Sequence, residues 1–137
     1  MKRTFLFVVL LALGCTSNNT PPPIYLGHVA TTTGQRRAHG EQEVLGIRLG
    51  IEEVNREKSE ALGGRAIVVR HADPQGQLEA FEGQAVRLVT VNRVVALFGG
   101  NSAEEVQRLE QARVPLLTPL GYRPRASSEQ VFCLGMR

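Results

Sequence analysis

The chain has 137 residues, 42% of them hydrophobic and 21% charged, with 16 basic against 13 acidic side chains, no tryptophan and two cysteines. That leaves room for one modest domain around a single core and excludes a fibrous or disordered chain. The basic residues are dispersed among acids without interleaved aromatics, so the composition offers no nucleic-acid surface.

The first stretch reads as an export signal and not as part of the fold. MKRTFLFVVLLALGC opens with Lys2 and Arg3, runs apolar from Phe5 to Leu13, and places Gly14 before Cys15. The apolar run is shorter than the roughly 20 residues that span a bilayer. Its Ala12-Leu13-Gly14-Cys15 ending is similar to the bacterial lipobox, in which cleavage precedes a cysteine that then carries lipid. A soluble secreted protein cut nearby is the alternative. Cleavage before Cys15 leaves 14 basic against 13 acidic residues, net +1, so the basicity is largely that of the leader. With Cys15 lipidated, no internal disulfide is expected. The default for Cys133, in QVFCLGM, is a buried strand thiol. The sequence therefore divides into a signal at 1–14, a lipidated cysteine and proline-rich tether at 15–23, and a domain at 24–137.

Within the domain, IYLGHVA at 24–30 reads as a strand that ends in the TTTG turn. From about Gly40 to Glu57, Val44, Ile47, Ile51 and Val54 recur at helical spacing on one face. Gly46 and Gly50, one turn apart on that helix, are expected to let it pack closely on a sheet. The Arg36-Arg37 doublet before it is read as a solvated loop. RAIVVRHA gives a second strand and DPQG a turn, with Asp73 starting the turn before Pro74. A second helix follows with Leu78, Phe81, Ala85 and Leu88 on one face. RVVALFGG is a third strand, Ser102 to Ala112 a third helix, VPLLTP a fourth strand and QVFCLGM a fifth. Alternating strands and helices imply an α/β, Rossmann-like, largely parallel sheet with flanking helices.

Ligands of such sheets sit beyond the carboxyl ends of the strands, which singles out the corners at Thr31–His39, Gly99–Ser102 and Thr118–Tyr122. Ser102 stands three residues before Glu105, the spacing of a capping box, and a plain helix cap is one reading. The other is a site for an anion at the helix start, where Asn101, Ser102 and free N–H groups meet the helix dipole. The phosphate-binding patterns GxxxxGK[ST] and a GxGxxG after the first strand are absent, which favours a carboxylate over a nucleotide. His28 and His71 fall in strands and His39 in the first loop, without zinc-ligand spacing, so no metal or other cofactor is expected. No serine, histidine and acid set can be assembled, and the chain is not expected to be an enzyme.

The order of these features resembles the type I periplasmic solute-binding proteins, in particular the leucine/isoleucine/valine-binding family of amino-acid ABC transporters. LGHVATTTGQRRAHGEQEVLGIRLGIEEVN is similar to that family's opening strand, glycine loop and first helix, and LGGRAIVVRHADPQG to its second strand and following aspartate. VVALFGGNS is similar to its strand and serine loop, and VPLLTP to a strand that family members commonly write VPLISP. The resemblance implies an exported, membrane-anchored lipoprotein of the periplasm or cell surface that binds an amino acid or similar small carboxylate and serves an ABC permease. It carries ligand contacts onto Ser102 first and Asn101 second, then Thr33, His39 (where family members often have a tyrosine), and Leu120 and Gly121 (where they have small or hydroxylated residues). It also implies that 24–137 is an incomplete first lobe, because the family builds two lobes from a chain more than twice as long. The competing expectations are a small Rossmann-like enzyme holding a phosphorylated substrate on GGNS, and a non-functional gene fragment.

Overall fold

The computed structural model describes residues 21–57, 60–121, 123–125 and 127–135. The expected signal, Cys15 and most of the tether lie outside these residues. Five strands form one sheet: β1 (Ile24–Val29), β2 (Ile67–Ala72), β3 (Ala96–Gly99), β4 (Leu116–Thr118) and β5 (Val131–Cys133). Their order is β2-β1-β3-β4-β5 and every pairing is parallel. Three helices make the crossovers: α1 (Arg37–Glu57), α2 (Leu78–Thr90) and α3 (Ala103–Leu109).

The two faces of the sheet differ. On one, Val29, Leu97, Leu116 and Val131 meet Phe81, Ala85 and Leu88 of α2 and Val106 and Leu109 of α3, all buried, and this is the core. From Phe81 on, the α2 spacing read from the sequence is thus the buried face of that helix. On the other face, strand register aligns His71, His28, Phe98, Leu117 and Phe132 in one row. α1 packs at the β2 end of this row, where the Asn55 side chain donates to the Ile67 carbonyl and accepts from its N–H, both at 2.8 Å. Further along lies an open hollow of about 360 Å³ lined by Ile47, Phe98, Leu117 and Leu134, with His28 and Glu43 at its polar end. Parallel sheets are ordinarily covered on both faces, and here Phe132 and Leu134 stay 51% and 60% exposed.

Three expectations need correction. α1 begins at Arg37, after a 3-10 turn at Gly34–Arg36, so His39 sits in the first helical turn and not in a loop. Gly46 and Gly50 do not mediate close packing on the sheet, because a Cβ added to either would meet nothing within 4 Å. The glycine of α1 that does pack is Gly40, whose Cβ would fall on the Thr31 carbonyl. Cys133 is half-buried, not enclosed.

Candidate functional site

The loops after β1, β2, β3 and β4 leave the same end of the parallel sheet, and the corner after β3 organises that end. Gly99 and Gly100 both have positive φ, 140° and 85°. A Cβ on Gly99 would meet the Val29 carbonyl and one on Gly100 the Val106 side chain, so only glycine turns the chain here. Thr118, fully buried, fixes the corner from β4: its hydroxyl donates to the Gly100 carbonyl at 2.6 Å and accepts the Leu120 N–H at 3.3 Å.

The Ser102–Glu105 spacing forms one half of the capping box that the sequence allows, the serine capping the glutamate's N–H, while the glutamate reaches back one residue beyond the cap, to Asn101. Ser102 Oγ accepts the Glu105 N–H at 3.2 Å, and Glu105 Oε2 accepts the Asn101 N–H at 2.8 Å. The Ser102 hydroxyl keeps its own proton for a further acceptor. Asn101 is more fully used, since its Nδ2 donates to Glu43 Oε1 at 2.8 Å.

Two charged groups that the sequence reading left out complete the arrangement. Arg36 reaches Glu105 Oε1 through Nη2 at 2.7 Å, pairing a half-exposed guanidinium with a carboxylate whose side chain is only 5% exposed. The doublet read as a solvated loop thus ties the loop after β1 to the corner after β3. Glu43, about one turn into the stretch read only for its apolar face, takes Asn101 on Oε1 together with His39 Nε2 at 3.1 Å. Its Oε2 lies 3.8 Å from the buried His28 Nε2, a charge contact too long for a hydrogen bond, and has no hydrogen-bond partner among the described residues. Burial alone would raise the Glu43 pKa; His28, the Asn101 amide and the charge of His39 outweigh it and hold the carboxyl below its ordinary value. His28 Nδ1 lies 2.9 Å from His71 Nδ1, so one ring donates and the other accepts. Burial against its neighbours and the charge of His28 lower the pKa of His71.

Asp73 begins its turn as expected. Burial works to raise its pKa, but the Gln75 N–H and the Thr33 and Thr32 hydroxyls bring it below the usual carboxylate value. Thr33 is exposed and precedes the 3-10 turn. With Gln35, Arg36, Gln75 and Gly76 it borders a polar hollow of about 310 Å³ beyond β1 and β2. Leu120 leans on the hydrophobic core, and Gly121 is exposed beside Gly135. The fold thus gathers Ser102, Asn101 and His39 around Glu43 and Glu105, puts Thr33 on the adjoining rim, and turns Leu120 inward. Among the described residues no three histidine, cysteine or acidic side chains converge as a metal site would require, and no helix is long and apolar enough to cross a membrane.

A family model described as a periplasmic binding protein matches residues 23–137. Among solved structures, the chain is similar to the branched-chain amino acid transporter substrate-binding protein LivJ from Streptococcus pneumoniae, in complex with isoleucine. Identity is 27% and the TM-score 0.62, over 71% of this chain and 28% of LivJ. A putative branched-chain amino acid ABC transporter protein from Silicibacter pomeroyi aligns at 26% identity and a TM-score of 0.61, over 70% of this chain and 25% of its own. An ABC transporter protein from Rhodopseudomonas palustris, at 18% identity, shares the fold with a TM-score of 0.66 over 83% of this chain and 34% of its own. The chain therefore spans about a quarter to a third of these proteins' length. No curated protein sequence matches it.

Proposed function

The chain belongs to the periplasmic binding protein family, and on that premise we propose that it is a ligand-binding component of an ABC transporter for an amino acid or similar small carboxylate. It binds and releases its ligand without transforming it. The observation that carries this reading is the corner at Gly99–Ser102, which leaves the Ser102 hydroxyl proton available at the carboxyl end of the sheet while the capping box satisfies the groups behind it. A carboxylate there gains a hydrogen bond from a side chain already held in place, which lowers the ordering cost of binding. Thr33 and His39 lie on the same rim. Asn101 supports the corner through Glu43, and Leu120 and Gly121 shape the loop after β4.

The protein is exported, carries lipid on Cys15 and presents its ligand to the permease from the outer face of a membrane. Calorimetric titration of the full chain with a panel of amino acids is expected to show binding that Ser102→Ala weakens. Absence of binding across the panel refutes the reading. Growth with a radiolabelled lipid precursor should mark the wild type and not Cys15→Ala, and an unlabelled wild type rejects the anchor.

A further inference from the structure

We propose that this chain selects an acidic ligand, a dicarboxylate or an acidic amino acid, and that Arg36 recognises its second carboxylate. The inference rests on the binding role proposed above and specifies its ligand class.

The hollow of about 310 Å³ beyond β1 and β2 has no aliphatic or aromatic side chain in its lining. It is lined by Thr31, Thr33, Gly34, Gln35, Arg36, Gln75 and Gly76. A branched aliphatic side chain placed there would meet only threonine methyls and the stems of polar residues, whereas a carboxylate would have a cationic residue and two amide side chains in the lining. An apolar hollow lies elsewhere, on the open face of the sheet, lined by residues of α1 and β4 among others.

Arg36 is built in rather than adventitious. Its Nη2 is fixed on the buried Glu105 carboxylate at 2.7 Å, and its Nε and Nη1 have no protein partner among the described residues. A guanidinium presents its donors as a rigid planar fork, so anchoring one corner orients the rest for a second carboxylate. Glu105 does not cancel the charge entirely, because the same carboxylate also takes the Asn101 N–H and lies in the first turn of α3. The opposite wall is equally fixed. Asp73 accepts the Gln75 N–H on Oδ1 at 2.7 Å and the Thr32 hydroxyl on Oδ2 at 3.0 Å, which engages both of its oxygens and pins the turn that carries Gln75. His39 is held on Glu43, so Arg36 is the one cationic side chain among the residues lining this hollow.

The test is calorimetric titration of the full chain at low ionic strength with L-glutamate, glutarate, L-leucine and L-isoleucine. Glutamate and glutarate are expected to bind at least about tenfold more tightly than the aliphatic amino acids. Arg36→Gln, which can still donate to Glu105, should remove that preference by weakening the acidic ligands alone, and Arg36→Lys should retain part of it. Unchanged thermal midpoints for the two variants exclude a loss of fold. A preference for leucine or isoleucine, or an acidic preference that survives in Arg36→Gln, overturns this inference while leaving the binding role intact. Binding of none of the four overturns this inference, and only absence of binding across the wider amino-acid panel overturns the binding role as well.

Discussion

The three glycines of α1 separate what the helix touches from what it leaves open, and substituting alanine reads that difference directly. At Gly46 and Gly50 an added Cβ meets nothing within 4 Å, so the only effect is the gain in helix propensity, about 0.8–1 kcal/mol at each position. The two share no packing partner, and the double variant should gain about 2 kcal/mol, which for a domain of this size is roughly 6 to 10 °C in Tm. At Gly40 the added atom falls on the Thr31 carbonyl, which is backbone and cannot rotate away. The same propensity gain is then overwhelmed, and Gly40→Ala should cost about 1 to 3 kcal/mol as α1 is pushed off the loop after β1. Urea unfolding of the three variants measures all of this. The reasoning fails if Gly46→Ala or Gly50→Ala destabilises the protein by more than about 0.5 kcal/mol, since that would mean another surface packs against this flank in solution.

Removing the Thr118 hydroxyl as Thr118→Val leaves the Gly100 carbonyl without its 2.6 Å donor in a buried setting. It should cost about 1 to 3 kcal/mol of unfolding free energy; a neutral result would mean the corner is held by its glycines alone. The pH dependence has two windows. His71 has a pKa below its ordinary value because of burial and the nearby His28, so the unfolded chain takes up a proton that the folded chain resists. Its contribution is fully present above about pH 6.5 and is lost as pH falls from there towards the folded value. Glu43, held below the ordinary carboxylate value, contributes only a loss that begins below about pH 4.5. Unfolding at pH 7.5 and 5.5 should therefore show a decline that is smaller in His71→Gln, and equal declines would remove His71 as the cause. Because His71 is only partly withdrawn from solvent, the difference should be modest.

Local chemistry made much of this fold legible in the sequence. Of the apolar spacing at Leu78, Phe81, Ala85 and Leu88, the last three form the buried face of α2 because each lies a helical step from the next above the same strands, while Leu78 at the helix start is half-buried. Ser102 and Glu105 announce the capping box because both partners lie within one turn. Pairings that close over long stretches of chain were not legible. Arg36 and Glu105 are 69 residues apart, and a basic doublet before a helix looks like any solvated turn until β1 and β3 are side by side. Glu43 is likewise hidden among good helix formers, and its burial depends on Asn101, 58 residues away. The start of α1 was misplaced because QRRAH carries no apolar rhythm, although its arginines and alanine are compatible with a helix.

The carboxylates of Glu105 and Glu43 distinguish the corner after β3 from a bare helix start. Glu105 takes the Asn101 N–H, Glu43 takes the Asn101 amide and Ser102 Oγ takes the Glu105 N–H, so Asn101 is engaged through both its N–H and its amide, and the Ser102 hydroxyl stands with the remaining N–H groups of the helix start. Two negative charges, Glu105 and Glu43, stand behind that hydroxyl and would repel an incoming carboxylate if left uncompensated. Arg36 compensates the first, and the second accepts from the Asn101 amide with His39 Nε2 3.1 Å away. On the proposed binding role, discrimination at this end of the sheet would depend less on the serine, which any hydrogen-bond acceptor can use, than on the balance between Arg36 and the acid it holds. Changing Glu105 to glutamine should loosen the corner by weakening the Asn101 bond, yet leave Arg36 with its full charge facing the hollow. Affinity for glutarate measured in Glu105→Gln should then rise relative to leucine even as the thermal midpoint falls; a parallel loss for both ligands would show that Glu105 acts on binding through the fold alone.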